Sequence, residues 1–594
     1  MRYFLFIFFF LFSFSALAQE VDEVWLALGH YHHNKSTVDS PNFFLSSEGK
    51  TNPKAELKAT IDFFEGEDNE KKCIFPSRYL YLKNRNLVHK PFPKCEEYEQ
   101  FQQDLQPSGV TLLFTDAYMN NPSSMFGHTL LRIDTKRKGT QLLAHGANWG
   151  AFTGDEPGAL YAILGLTGGY YGGFTVKPYY DIINMYNNIE NRDIWEINLD
   201  LTPEELDFFV AHLWEIGQTQ SRYYFFGRNC SYMLMEMLDA VRPSLKLAER
   251  FPVHAIPLDT FKAVYRSEGL VKGENFRPSR RNKILHRYRL MNDEQKDAYL
   301  EILKTREFKF PDEMSDAEKA DVLETAYQYV QYQYVAKDLE LGAYRKQSFD
   351  ALRARSQLKG QGLIEDMKEG HPPVEAHESM RAVAGVGVRN GKTFEEVSYR
   401  PAYQSLSDND FGLPFGSEIN FLETTLRHYD KDDKYVLQKF DLLTIRSLSP
   451  ISQMFHPFSF QIKADISRFE NPASEREGYI GNLSVGTGGT YALADKLWGF
   501  LLMNTKAAYS GFLPHNSYMA ESVDLGVLAA VDKWRLLAEF EPQLATQKLG
   551  TSIIYKTELN YILQTNWAIG ATLQHQAQRG KDMEEYSLCL RYYF

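Results

Sequence analysis

Apolar and polar residues alternate with a period of two along the last third of the chain, from about residue 376 onward. In FSFQIKADI (458–466), Phe458, Phe460, Ile462, Ala464 and Ile466 alternate with Ser459, Gln461, Lys463 and Asp465. In SIIYKTELNYIL (552–563), Ile553, Tyr555, Leu559, Tyr561 and Leu563 share one face with Thr557, while Lys556, Glu558 and Asn560 take the other. The last ten residues, EYSLCLRYYF, put Tyr586, Leu588, Leu590, Tyr592 and Phe594 on a single face. Successive side chains of a strand point to opposite sides of its sheet, so this pattern predicts strands. Roughly a dozen such segments of about ten residues, parted by turn-rich stretches, predict an antiparallel β-barrel of about twelve strands over 373–594.

Upstream the period lengthens. Residues 290–372 read as a charged, locally amphipathic helical linker, with Ser315 and Glu318 as a capping box ahead of DVLETAYQYVQYQYVAKDLEL. Residues 106–289 mix both periods, as an α+β domain would. VTLLFTDAYM (110–119), HTLLRID (128–134) and TQLLAHGAN (140–148) are strand-like runs. LTPEELDFFVAHLWEIG (201–217) predicts a helix capped by Thr202 and Glu205, with Pro203 in its first turn. A second helix is expected from near Cys230 to Val241. Residues 19–105 read as helix and loop, including a helix in NPKAELKATIDFFEG (52–66).

The first eighteen residues, MRYFLFIFFFLFSFSALA, carry one Arg, an apolar run and a small-residue site. That is the pattern of a signal peptide cleaved before Gln19. No later stretch reaches eighteen uncharged apolar residues, so no internal transmembrane helix is expected. For an exported chain, segments long enough to cross a bilayer, with aromatic residues at their ends, favour an embedded barrel over a soluble sandwich. Polar groups such as Lys463 and Glu558 would then turn inward. The strand ending in Phe594 also resembles the terminal strand of bacterial outer-membrane barrels. The expected location is the outer membrane, with the upstream domain in the periplasm.

With 594 residues the chain is long enough for two or three cores. A formal net charge of −12 leaves no basic excess for phosphates and argues against nucleic acid as a partner. Four cysteines do not make a disulfide scaffold. Cys73 and Cys95 nevertheless lie 22 residues apart in an exported chain, where an oxidising periplasm favours pairing. The sequence does not set the oligomeric state.

The candidate chemistry centres on His128, His145 and Cys230. His128 opens one predicted strand and His145 closes the next, so antiparallel pairing would bring the imidazoles together. Cys230 follows a Gly-Arg-Asn turn where a helix starts, and a helix N-terminus lowers a thiol's pKa. A neighbouring His would take its proton, and the second His would orient the first. Asn229, or backbone N–H groups near Cys230, would then supply an oxyanion hole. No cofactor or metal is expected. There is no H-E-x-x-H or G-x-S-x-G, and Val386 occupies the first Gly position of a P-loop in GVGVRNGKT. His30, His32 and His33 read as a solvated cluster.

The order His, His, Cys, with Asn-Cys opening a helix, resembles the circularly permuted papain-like (NlpC-like) thiol enzymes. SMFGHTLLRI, GLTGGYYGGF (164–173), RDIWEINLDLTPEE (192–205) and GRNCSYMLMEMLD are similar, more closely, to the Lnb-type N-terminal periplasmic domain. That family is named for bacterial lipoprotein N-acylation. CIFPSRYLYL (73–82), FRPSR (276–280) and the barrel-like region extend the likeness over nearly the whole mature chain. The resemblance implies Cys230 as nucleophile, His128 as general base and His145 as the third polar member. It implies acyl transfer through a Cys thioester, with a phospholipid or lipoprotein ester as donor and a lipoprotein amine as acceptor. A cysteine amidase or endopeptidase of peptidoglycan is the first alternative. A non-enzymatic barrel carrying a periplasmic binding domain is the second.

Overall fold

The computed structural model describes residues 21–594 apart from 118–125, 138–140, 155, 157, 369, 471–476, 512, 514, 515, 547–549, 579 and 580. The signal-peptide reading of 1–18 lies outside the described residues. Seven strands form one antiparallel sheet upstream: β1 (Pro107–Thr115), β2 (His128–Thr135), β3 (His145–Ala151), β4 (Tyr170–Pro178), β5 (Ile194–Leu199), β6 (Ser221–Tyr223) and β7 (Val271–Arg277). Their order across the sheet is β6-β4-β3-β2-β1-β5-β7. Strand β1 lies in its interior, covered on both faces, which is why Val110, Leu112, Leu113 and Phe114 form a nearly continuous apolar run.

One face of the sheet packs on two helices, α4 (Pro203–Ile216) and α5 (Cys230–Val241), through Leu131, Ile133, Trp149, Phe209, Leu213 and Leu238. The other is covered by Tyr179, Ile182 and Ile183, against Leu113 and Leu130. The predicted capping box of α4 is present: Glu205 N–H donates to Thr202 and Thr202 N–H to Glu205. The expected strand over 140–148 begins only at His145, because Gln141–Leu143 form a 3-10 turn. Ahead of the sheet, helices α1 (Pro53–Glu65) and α2 (Pro76–Asn84) build a small core around Trp25, Leu57, Phe64 and Tyr81. Cys73 and Cys95 form a disulfide with Cα atoms 5.5 Å apart. Closing a loop of that length is worth roughly 3 kcal/mol in the chain-entropy picture.

Twelve antiparallel strands, from β8 (Arg381–Arg389) to β19 (Lys581–Tyr593), form a closed barrel. Closure pairs Arg381 with Tyr593 and Arg389 with Glu585. Strand β9 (Lys392–Arg400) follows β8 through an Asn390-Gly391 turn with φ of 49° and 75°, a hairpin where the P-loop-like letters stand. The alternation sorts the wall as expected. Leu483, Val485, Leu501, Met503, Leu588 and Leu590 are exposed outside, while Lys463, Glu558, Arg446 and Glu539 line the lumen. Aromatic pairs sit on the outer wall near the chain-terminal end: Trp534 with Tyr561 and Trp567 with Tyr592.

At that same end, Ala402–Gln404 pair with Ile419–Phe421 in the wall, and residues 405–413 then fold into the lumen. Asp408 is buried in ion pairs with Arg400 at 2.7 Å and Arg381 at 2.9 Å, and Tyr593 donates to it. Asp410 pairs with Lys496 and Arg535, and Asn560 donates to Ser407 O. The helices α7 (Asp293–Thr305) and α8 (Asp316–Val335) pack under the barrel, where Tyr329 and Tyr332 meet Phe455. The tyrosines of the linker are thus contact residues.

The sheet domain packs against the barrel's outer wall. Phe226 stacks 4.3 Å from Phe421 of β10 (Ser417–Tyr429), and Phe126 lies 5.6 Å from Tyr403. Phe421, Ile419, Leu443 and Ile445 join the sheet domain's own core. Glu418 and Asn420, their alternates, line the lumen.

Candidate active site

Gly127 turns the chain into β2 with φ of +85°, and a Cβ there would sit 2.5 Å from the Phe114 ring. That turn makes His128 the first residue of β2, at the sheet end where α5 begins. Asn229 caps α5: its Oδ1 accepts from the N–H groups of Ser231 and Tyr232 at 3.1 Å. Its Nδ2 donates to Ala255 O at 2.7 Å and Phe225 O at 3.0 Å. Cys230, the first residue of the helix, is therefore fixed at the positive end of the dipole, buried at 7% exposure.

The His128 imidazole lies beside the Cys230 thiol, close enough for each group to shift the other's titration. Its Nε2 lies 2.7 Å from Asn148 Oδ1, which leaves Nδ1 as the nitrogen for sulfur. Burial alone would push the Cys230 thiol up. The His128 charge and hydrogen bond, with N–H groups of Thr129 and Ser231 at the sulfur, more than offset it, so its pKa falls below the ordinary thiol range. Burial would likewise push His128 down, and the adjoining thiolate outweighs it, so the imidazole stands above its ordinary value. The two shifts describe one thiolate–imidazolium pair, shared as a unit. The Tyr186 ring covers His128 at 5.5 Å.

His145 does not join this pair. Leu131 lies opposite Ala147 and Ile133 opposite His145. His145 is therefore level with a residue five positions along β2 from His128, about 17 Å away and on the other face of the sheet. Burial and Arg137 push its pKa down. Asn148, not His145, occupies the third position. Asn229 is likewise committed: both amide protons hold the turn before Cys230, so it caps the helix and has none left for an oxyanion. Of the first backbone N–H groups of α5, those of Ser231 and Tyr232 go to Asn229 Oδ1 and that of Met233 to Asn229 O, which leaves the N–H of Cys230 as a donor. Asn148 stood inside a quoted motif, yet the register of β3 on β2 decides which of its residues meets His128, and a one-residue slip exchanges the faces.

The histidines expected to be solvated are mostly structural. His30 is 2% exposed, with Nδ1 at 2.9 Å from Glu236 and Nε2 at 3.0 Å from His212. His32 reaches Glu236 at 2.7 Å, and only His33 stays exposed. Burial would raise the Glu236 carboxyl, but hydrogen bonds from His30 and His32 bring it down to about 2. Glu236 belongs to α5, so this cluster ties the helix carrying Cys230 to the N-terminal segment. Among the described residues no group of three or more His, Cys, Asp or Glu side chains is placed to hold a metal ion.

Residues 97–267 match the family model of the Lnb N-terminal periplasmic domain. Three models of domains of unknown function match residues 16–85, 274–366 and 370–593. No curated protein matches the chain. Among solved structures, the NanC porin aligns over 36% of this chain and 100% of its own, at 6% identity and a TM-score of 0.24. The KdgM porin aligns over 36% and 99%, at 9% identity and a TM-score of 0.22. The transport unit of the autotransporter AIDA-I from Escherichia coli aligns over 36% and 89%, at 11% identity and a TM-score of 0.20.

Proposed function

We propose that this protein is an envelope thiol acyltransferase, built as a permuted papain-like (NlpC-like) domain on an outer-membrane barrel. One observation carries the reading: a helix-opening Cys230 set beside His128, whose Nε2 is held by Asn148. The Cys230 thiolate attacks the carbonyl carbon of a phospholipid or lipoprotein ester, and His128 protonates the departing alkoxide. A thioester on Cys230 and a free alcohol result. An amine, as at a lipoprotein N-terminus, then attacks the thioester while His128 accepts its proton, giving the amide and restoring the thiol. The match to the Lnb N-terminal periplasmic domain supports this assignment. The barrel's role is anchoring: its apolar outer wall suits lipid, and residues 405–413 close its lumen.

Purified protein incubated with phospholipid or diacylated lipopeptide, followed by mass spectrometry of Cys230, tests the proposal. One added acyl chain on Cys230, absent from Cys230→Ala, is the expected result. Cleavage of peptidoglycan fragments without an acyl adduct would replace the transferase with a hydrolase. Neither adduct nor cleavage would leave the pair without catalytic meaning.

A further inference from the structure

Helix α3 (Gly158–Thr167), GALYAILGLT, contains no charged residue. Leu160, Ile163 and Leu166 recur every third position, so they share one side, and they are 45%, 57% and 46% exposed. Tyr161, on the opposite side, and Leu164, at the margin of that face, pack into the domain core. Phe152 and Tyr171 continue the apolar surface, at 48% and 42% exposure. At its edge the exposed Arg222 guanidinium lies over the Tyr171 ring and donates to Gly168 O. A charge-free helix face rimmed by an aromatic–cation pair is the composition of an interfacial segment, whose apolar side enters the acyl region while the cation meets headgroups.

Position points the same way. Phe225 N–H donates to Gly165 O of α3, the Phe225 ring lies 5.5 Å from Phe226, and Phe226 packs on Phe421 of the barrel's outer wall. One aromatic layer thus separates α3 from the barrel's outer wall. Phe225, whose N–H holds Gly165 O of α3, accepts with its own carbonyl from Asn229 Nδ2 at 3.0 Å, the residue just before Cys230. We infer that the Leu160–Ile163–Leu166 face of α3 is seated in the phospholipid bilayer next to the barrel, and that lipid approaches Cys230 along it. This rests on the membrane-anchored acyl-transfer reading above and adds the entry side.

The test uses the full chain in nanodiscs made with a phospholipid carrying a photoactivatable group on its acyl chain, with adducts mapped by mass spectrometry. Adducts are expected on 158–171 as well as on barrel residues such as Leu573 and Leu588. Ile163→Asp should cut labelling of 158–171 by about tenfold while leaving barrel labelling intact. The rate of Cys230 alkylation by iodoacetamide, unchanged in this variant, shows that the site is folded. Barrel adducts without any on α3, or α3 adducts indifferent to Ile163→Asp, would overturn the inference. Absence of adducts on the barrel itself would overturn the membrane reading and this inference with it. Labelled α3 in a protein whose Cys230 never acylates would support the membrane contact and sink only the acyl transfer.

Discussion

At the scale of residues, Cys230 and His128 shift each other's titration in opposite directions, and the consequence is measurable. Cys230 ionises below the ordinary thiol range and His128 holds its proton above the ordinary imidazole range. Turnover should therefore follow a bell, rising as Cys230 loses its proton and falling as His128 loses the proton needed by the leaving alkoxide. In His128→Ala, burial acts on the thiol without its counter-charge, so the iodoacetamide rate should inflect above the ordinary thiol range. An unmoved inflection would break the pair. Asn148 and His145 separate just as sharply. Asn148→Ala should lower turnover on the order of tenfold to a hundredfold, because the imidazole loses its fixed orientation. His145→Ala should leave turnover unchanged, and the reverse pattern in steady-state kinetics would restore His145 as the third member.

At the scale of elements, α5 carries the nucleophile at its first residue and an ion-paired carboxylate two turns later. Asn229 satisfies the end of this helix with bonds in both directions, so Asn229→Ala should cost ~2 kcal/mol or more in thermal unfolding of the domain. Glu236 is a buried charge held by His30 and His32, and Glu236→Ala would strand two imidazoles, at a cost of roughly 3–5 kcal/mol. The pH dependence follows from the two shifts. Glu236 is depressed to about 2, so its share of stability is full above the ordinary carboxylate range and lost as pH falls toward 2. His32 is raised, chiefly by its hydrogen bond to Glu236, so its share is present below the ordinary imidazole range and lost as pH climbs through the raised value. Hydrogen exchange over residues 21–40 should be slowest between those limits; a monotonic trend across them would contradict this docking.

At the scale of the molecule, the barrel is closed around a segment of its own chain. Asp408 meets Arg381, Arg400 and Arg591, and Asp410 ties the same segment to the turn at Lys496 and to the strand carrying Arg535. The space above it, about 510 Å³, is crossed by rings of opposite charges. The intact protein in planar bilayers should accordingly show no steady conductance, whereas removal of 405–413 should open one. A steady ohmic channel from the intact chain would return the barrel to the porins. The sheet domain leans on the outside of this wall through Phe226 and Phe421.

Much of this was legible beforehand, for reasons that differ by element. The period-two alternation of 458–466 and 552–563 is a local property of strands, so the barrel, and the inward turn of Lys463 and Glu558, could be read directly. Thr202–Glu205 and the helix opening at Cys230 depend on hydrogen bonds within a few residues, and they too were readable. Cys230 and His128 were both recognisable as chemistry. The partner of His128 was not, because it depends on how β3 registers against β2 across an intervening loop that no local pattern fixes. Nor could sequence show that His30 and His32 reach across about two hundred residues to Glu236. The lumen plug and the side of α3 that stays bare were equally out of reach. Alternation, caps and turns are written in neighbouring residues; register, burial and docking arise only when distant segments compete for the same surface, and those decided what surrounds the thiol.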